Sequence, residues 1–348
     1  MDSRGDSGVW GHGGDIWAAA GRFARSPDEF VDFSVSVNPL GPPPGLSEFL
    51  RARFHLAYRY PEPDARELAH ELAAVHGVPP ESVVVGNGAS ELLMVLVAAL
   101  APKTALTVEP TYSDYRRSLA AHGVVPTHTC IAEMKFPPSG PDVVFLCNPN
   151  NPTGDLIPEE KLPVLPGETT LVVDESFMEF VSEGRYSLAQ RASRGELVVV
   201  RSLTKIFAIP GLRLGYVVCG PALAKRVREL KPLWSVNGLA SAAGLYGLGR
   251  GDYIEETRSF VRTESRRLGE ALRVPTHFHT YWSAANFVLV KLHRGSASEI
   301  NRFLGERGML VRDCSNFIGL DSSYIRIGLR SREENDRLLE ALRQWQEA

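Results

Sequence analysis

The stretch Ser202-Leu203-Thr204-Lys205-Ile206-Phe207-Ala208-Ile209-Pro210-Gly211-Leu212-Arg213-Leu214-Gly215-Tyr216 decides how the rest of the chain is read. It follows an apolar run at 197–200, the pattern of a buried strand, and puts a lysine on the turn after it. An arginine stands eight residues further on. The chain has seven lysines against 31 arginines, so a lysine here is an uncommon surface filler. A lysine amine forms a Schiff base with an aldehyde when a partly desolvated pocket lowers its pKa. The planar fork of an arginine suits a phosphate. The pair therefore fits a ligand carrying both groups. An exposed lysine beside a proline-broken turn would look the same in isolation, so its neighbours decide.

The 348 residues, 44% hydrophobic and 23% charged, are long enough for a large core and two lobes. Short apolar runs at 83–85, 105–108, 143–146, 171–173, 197–200 and 214–219 alternate with helix-period segments. That alternation predicts an α/β fold with a mainly parallel sheet covered on both faces. Beyond about residue 232 the pattern changes: a long helix over 253–272, a strand at 286–292, a helix near 297–307, a strand at 324–328 and a closing helix over 332–346. The closing helix puts Leu338, Leu339, Leu342 and Trp345 on one face. We expect an N-terminal segment (1–45) packed with a small C-terminal α+β domain (236–348), and a large ligand-binding domain (46–235) between them.

The net charge of −3 and the scattered basic residues argue against nucleic acid as a partner. No apolar run approaches the ~20 residues that span a bilayer, and residues 1–14 are polar and glycine-rich rather than signal-like. Cys130, Cys147, Cys219 and Cys314 are far apart and form no paired metal-ligand spacing, as expected of reduced thiols in a cytoplasmic protein. No metal site is expected.

Further chemistry-bearing residues follow the ends of the predicted strands. Gly86-Asn87-Gly88-Ala89-Ser90-Glu91 turns from one strand into an apolar helix, whose N-terminal amides and small residues let a phosphate approach. The third glycine of a dinucleotide fingerprint is absent. Tyr112, in Glu109-Pro110-Thr111-Tyr112, can stack on a planar ring. Asn148-Pro149-Asn150-Asn151-Pro152-Thr153-Gly154 is a rigid turn that presents the Asn151 amide. Asp174 ends a strand, where its carboxylate can keep a pyridine nitrogen protonated. Each residue has an ordinary turn, cap or core explanation. All of them at successive strand ends, where open α/β sheets bind ligands, point to one site. Pyridoxal 5'-phosphate carries the aldehyde, the phosphate and the pyridine ring that these residues suit.

These motifs, over about 12–342, resemble the fold-type-I pyridoxal-phosphate enzymes of the aspartate aminotransferase superfamily. Within it the chain is similar to the branch holding the histidinol-phosphate aminotransferases and the threonine-phosphate decarboxylases. The resemblance implies that Lys205 bonds the cofactor aldehyde, Asp174 pairs with the ring nitrogen, Asn151 contacts the ring hydroxyl and Tyr112 stacks on the ring. It assigns the cofactor phosphate to Gly88, Ala89, Ser90, Ser202 and Arg213. Tyr60, in Arg59-Tyr60-Pro61, matches a tyrosine that reaches the phosphate of a neighbouring subunit, implying a homodimer with shared sites. Arg326 matches the arginine that binds the substrate carboxylate.

Four features resemble the decarboxylase side of that branch: His12-Gly13-Gly14-Asp15-Ile16 with the later run Asp32–Gly41; Phe177 where aminotransferases place a tyrosine; Trp234-Ser235-Val236-Asn237; and Arg312-Asp313-Cys314-Ser315-Asn316-Phe317. They imply substrate contacts from Arg312, Asn38, His12, Gly13 and Gly14. The expected reaction is decarboxylation of L-threonine O-3-phosphate to (R)-1-aminopropan-2-yl phosphate, a step of cobalamin biosynthesis. Transamination of histidinol phosphate or another amino acid is the alternative, since the same catalytic set serves both. A binding protein without catalysis is the less favoured third reading. Two departures stand out: the stretch between Thr127 and Val143 is short, so a helix over that edge is expected to be missing, and Ala89-Ser90 replaces a more polar pair.

Overall fold

The computed structural model describes residues 12–134, 136, 139–181, 186–273 and 278–347. The first eleven residues of the expected N-terminal segment lie outside these. A seven-stranded sheet runs in the spatial order Val83–Gly86, Gly215–Val218, Val198–Ser202, Thr170–Asp174, Val143–Cys147, Ala105–Glu109, Thr127–Cys130. Its inner strands are buried along nearly their whole length and mostly apolar, because helices cover both faces. Val143, Phe145 and Cys147 pack on one side, and Val144 and Leu146 on the other.

Six strands are parallel; Gly215–Val218 is antiparallel to both neighbours. The linker 203–214 holds the short helix Leu203–Ile206 and one 3-10 turn, Pro210–Leu212. Without a long crossover helix, the chain returns alongside the strand it has just left. The edge strand Thr127–Cys130 is polar and largely exposed, so no apolar run announced it. Between it and Val143–Cys147 the described residues carry no helix, as the short spacing implied.

A second, antiparallel sheet has the order Arg312–Asp313, Tyr324–Gly328, Phe287–Leu292, Phe278–Thr280. Its register sets Arg312 directly opposite Arg326. The helix Ala297–Gly305 starts with a Ser296/Glu299 capping box, which satisfies its first free amides. The helix Arg332–Glu347 buries Leu338, Leu339 and Leu342, while Trp345 stacks on Phe278 with ring centres 6.1 Å apart. Near the N-terminus, Val31–Asp32 pairs in parallel with Met309–Leu310. The Phe33 carbonyl accepts from Gly328 N–H. The stretch that follows reaches the large sheet, where Asn38 N–H donates to the Lys205 carbonyl at 2.9 Å. Residues 31–38 therefore tie the two sheets together beside the strand ends.

Candidate active site

Five parallel strands, those ending at Gly86, Glu109, Cys147, Asp174 and Ser202, finish at one edge of the large sheet. The antiparallel strand starting at Gly215 begins at that edge, which brings Arg213 there as well. A cavity of about 220 Å³ opens between this edge and the second sheet. Of the residues singled out in the sequence, Lys205, Asp174, Tyr112, Asn151, Ala89, Ser90, Ser202, Arg213, Arg312, Arg326, His12, Gly13 and Phe177 line it.

Lys205 sits on the single helical turn after Val198–Ser202. Its amine has no hydrogen-bond or ion-pair partner among the described residues. Burial, then the positive charges of Arg326 and Arg213, bring its pKa down to about 8, with Asp174 opposing. Asp174 is buried at its strand end. Its Oδ2 accepts from the Tyr115 hydroxyl and its Oδ1 from Ser176 N–H, each at 2.8 Å. Burial raises the Asp174 pKa against these bonds and the Lys205 charge. No cation lies within ion-pair distance among the described residues, so a protonated ring nitrogen would supply the missing partner.

Gly88 precedes the helix Ala89–Leu100, which no side chain caps, leaving first-turn amides for an anion. Gly88 sits at φ +84°, and a Cβ there would come within 2.6 Å of Arg213 Nη2. Only glycine lets the arginine lie across this turn. The Ser202 hydroxyl is 2.7 Å from that of Thr204. Tyr112 donates to Asp114 Oδ2 at 2.8 Å, and its oxygen is 3.3 Å from Ser90 Oγ.

Arg326 faces the cavity from the second sheet. Its Nη1 donates to Asn151 Oδ1 and its Nη2 to the Ser34 carbonyl at 2.9 Å. Its Nε is buried without a partner. Among the described residues no carboxylate pairs with it, and burial leads the causes that lower its pKa to about 10. Arg312, opposite in register, donates to Asn316 Oδ1 at 2.7 Å, and burial lowers its pKa. Phe177 is buried with its edge against the Phe287 ring, 5.0 Å between centres. The Arg326 guanidinium lies 5.0 Å from the centre of that same ring.

Four expected positions do not line the cavity. Gly88 lies against Arg213, and Gly14 N–H donates to Ser34 Oγ at 2.9 Å. Asn38, expected at the substrate, is buried behind Lys205: its Nδ2 donates to the Ile206 carbonyl at 2.7 Å and lies 2.7 Å from the Tyr253 hydroxyl. Its Oδ1 accepts from Leu40 N–H, so its amide is engaged in holding the Lys205 turn. Tyr60 is 78% exposed and lies against Trp234, with ring centres 4.7 Å apart.

Sequence reasoning missed Tyr115 beneath Asp174, Asp114 beside Tyr112, and Ser34 beneath Arg326. Asp114 and Tyr115 open the helix Asp114–Ala121 and read as ordinary first-turn residues. Ser34 lies inside the quoted N-terminal run, but its partner is 292 residues away.

The residues fit pyridoxal 5'-phosphate: an unpartnered buried amine, a buried carboxylate lacking a cation, and a glycine turn that would reject a Cβ. Residues 28–342 match the family model of aminotransferase class I and II. The chain is 35% identical to the threonine-phosphate decarboxylase of Salmonella typhimurium, covering 95% of each. It is 34% identical to histidinol-phosphate aminotransferase 2 of Archaeoglobus fulgidus, covering 91% of this chain and 93% of that one. The crystal structure of L-threonine-O-3-phosphate decarboxylase from Porphyromonas gingivalis superposes with a TM-score of 0.84 at 30% identity, covering 91% of this chain and 100% of that one. The chain belongs to the class I and II aminotransferase family, and its cofactor is pyridoxal 5'-phosphate.

Proposed function

We propose that the protein decarboxylates L-threonine O-3-phosphate to (R)-1-aminopropan-2-yl phosphate, a step of cobalamin biosynthesis. One observation carries the reading: Arg326 and Arg312 stand side by side in the cavity, Arg326 without an acidic partner, and His12 adds a third group able to meet an anion. A small substrate with a carboxylate and a phosphate would meet Arg326 with the first and Arg312 and His12 with the second. The likeness to the Salmonella typhimurium enzyme supports the same reading.

Pyridoxal 5'-phosphate, when bound, accepts the electron pair of a bond broken at the amine-bearing carbon. The chain's residues hold that chemistry in place. Gly88, Ala89, Ser90, Ser202 and Arg213 would receive the cofactor phosphate, Tyr112 would pack on the ring and Asn151 would meet the ring hydroxyl. Asp174, held by Tyr115 and Ser176, would keep the ring nitrogen protonated. Lys205 Nζ is the covalent anchor. As a free amine, Nζ would also serve to carry a proton to the reacting carbon of the substrate.

Where the substrate carboxylate is held decides which bond at the amine-bearing carbon would break. Arg326, braced by Asn151 and the Ser34 carbonyl, sets that position. Arg312, His12 and the glycines 13–14 receive the phosphate, whose binding energy is remote from the reacting bond and available for orientation.

The proposal includes the three-part division at 45/46 and 235/236, supported by the two separate sheets, and a cytoplasmic homodimer. Exposed Tyr60 beside Trp234 supports a role for that tyrosine at a neighbouring subunit. Among the described residues no helix is long and apolar enough to cross a membrane.

The test is incubation of the holoenzyme with threonine phosphate, and separately with histidinol phosphate plus 2-oxoglutarate. Carbon dioxide with an equal amount of aminopropanol phosphate is expected in the first. Glutamate in the second, with no carbon dioxide from the first, would establish transamination, the reading that the Archaeoglobus fulgidus relative supports.

A further inference from the structure

Asp114 is the first residue of the helix Asp114–Ala121, two positions beyond Tyr112, and is only 4% exposed. Its two oxygens serve different partners. Oδ1 accepts from His12 Nε2 at 3.1 Å, and Oδ2 accepts from the Tyr112 hydroxyl at 2.8 Å. A carboxylate facing Nε2 fixes a proton on that nitrogen and leaves Nδ1 to the other side of the ring. The His12 and Tyr112 rings stand 5.5 Å apart. Arg117 comes no nearer than 3.8 Å to Oδ1 and is half exposed, so it adds little.

The residues after His12 are pinned at the opposite side of the cavity. A Cβ on Gly13 would lie 2.3 Å from the Ser34 carbonyl oxygen, so the backbone rests directly on the turn that holds Ser34. Gly14, at φ +94°, donates its N–H to Ser34 Oγ at 2.9 Å. The Ser34 carbonyl is also the acceptor for Arg326 Nη2. Residues 12–14 thus bridge the cavity from the helix beside Tyr112 to the turn whose Ser34 carbonyl braces Arg326.

We propose that Asp114 is a positioning residue: it fastens the 12–14 segment across the cavity and holds the His12 imidazole at a fixed separation from the Tyr112 ring. This rests on the reading above, in which His12 faces the substrate phosphate. Burial raises the Asp114 pKa, but the hydrogen bond and charge of His12, with Ser90 and Tyr112, outweigh it and leave the carboxyl below its ordinary value. Asp114 therefore stays ionised under His12. The phosphate of a substrate held by His12 would lie on the other side of the imidazole from this carboxylate, which separates the two negative charges.

Asp114→Asn separates the two bonds. The amide oxygen can still accept from Tyr112, but the amino group can meet His12 only in the tautomer that leaves Nε2 unprotonated, and the charge-assisted bond is lost. The test uses the full-length holoenzyme and compares wild type, Asp114→Asn, His12→Ala, the double variant and Arg117→Ala. Two readouts are taken: kinetics on threonine phosphate and amide hydrogen exchange at Gly13 and Gly14.

Asp114→Asn is expected to raise KM about tenfold with kcat within about threefold, and His12→Ala to add less than about twofold once Asp114 is changed. Exchange at Gly13 and Gly14 should quicken about fivefold or more in both single variants. Cofactor affinity and the Arg117→Ala enzyme should stay near wild type.

Independent, multiplying effects of the two single changes would overturn the proposal. Unaltered exchange in Asp114→Asn would do the same. Should that variant not fold, exchange in His12→Ala, a change at an exposed residue, still decides. If wild type does not decarboxylate threonine phosphate, the functional reading fails while the exchange result judges the fastening separately.

Discussion

The two ends of the cavity are built differently. At the cofactor end, Gly88, Tyr112, Asn151, Asp174 and Lys205 follow the ends of strands in one sheet. Their spacing is set by a backbone hydrogen-bond ladder and a core packed on both faces. At the substrate end, His12, Ser34, Arg312 and Arg326 come from an N-terminal bridge, a linking stretch and a second sheet. Their relative positions depend on side-chain contacts such as Arg326 to Asn151. The first construction is stiff and general. The second can change its substrate without disturbing the first, which explains how relatives of similar identity carry the names of a decarboxylase and an aminotransferase.

The contrast can be broken by substitutions at each end. The largest effect is expected at the cofactor end. Asp174→Asn keeps the contacts to Tyr115 and Ser176 but removes the charge behind the ring nitrogen. It should lower kcat by on the order of 10²–10³ with KM little changed, as measured by steady-state kinetics. A large rise in KM alone would place Asp174 at the wrong end.

Arg326→Gln should cost roughly 10²-fold in kcat/KM, as expected for losing a buried, charge-assisted contact to the carboxylate. It should also let through some Cα–H exchange, because the carboxylate is no longer held in one orientation. An equal loss of affinity for the aminopropanol phosphate product, which lacks the carboxylate, would remove Arg326 from that role.

The smallest effect concerns Lys205. Burial, Arg326 and Arg213 disfavour its ammonium form, so the amine is mostly free above about pH 8 and protonated below it. Uptake of pyridoxal 5'-phosphate by the apoprotein should therefore rise with pH and level off beyond pH 8. Arg326→Gln, which removes one of the positive charges, should move that midpoint upward. A midpoint near that of an ordinary lysine in the wild type would contradict the desolvated site.

The same contrast governs what the sequence made legible. A strand end is a local pattern, an apolar run followed by a turn, so Lys205, Asp174, Asn151 and Tyr112 could each be placed from a few neighbouring residues. Tyr115 beneath Asp174 and Ser34 beneath Arg326 could not, because those contacts form only when distant elements meet. Asn38 shows the limit most clearly. The motif around it suggested a substrate contact, but tertiary packing turns its amide toward Ile206 and Tyr253 behind the lysine turn.

Strand direction was hidden for a related reason. The apolar pattern marks Gly215–Val218 as a strand, whereas its antiparallel sense follows from the missing crossover helix. The polar edge strand Thr127–Cys130 and the short strands Phe278–Thr280 and Arg312–Asp313 offered too little pattern to be seen.

The most direct test is turnover of threonine phosphate in heavy water, stopped halfway and analysed by proton magnetic resonance. If the substrate end holds the carboxylate for departure, the aminopropanol phosphate will carry one deuterium on the carbon that bore the carboxylate. The remaining threonine phosphate will carry none at Cα. Deuterium washed into Cα of unreacted substrate, with no carbon dioxide released, would show that the Cα–H bond is the one presented and would contradict the account.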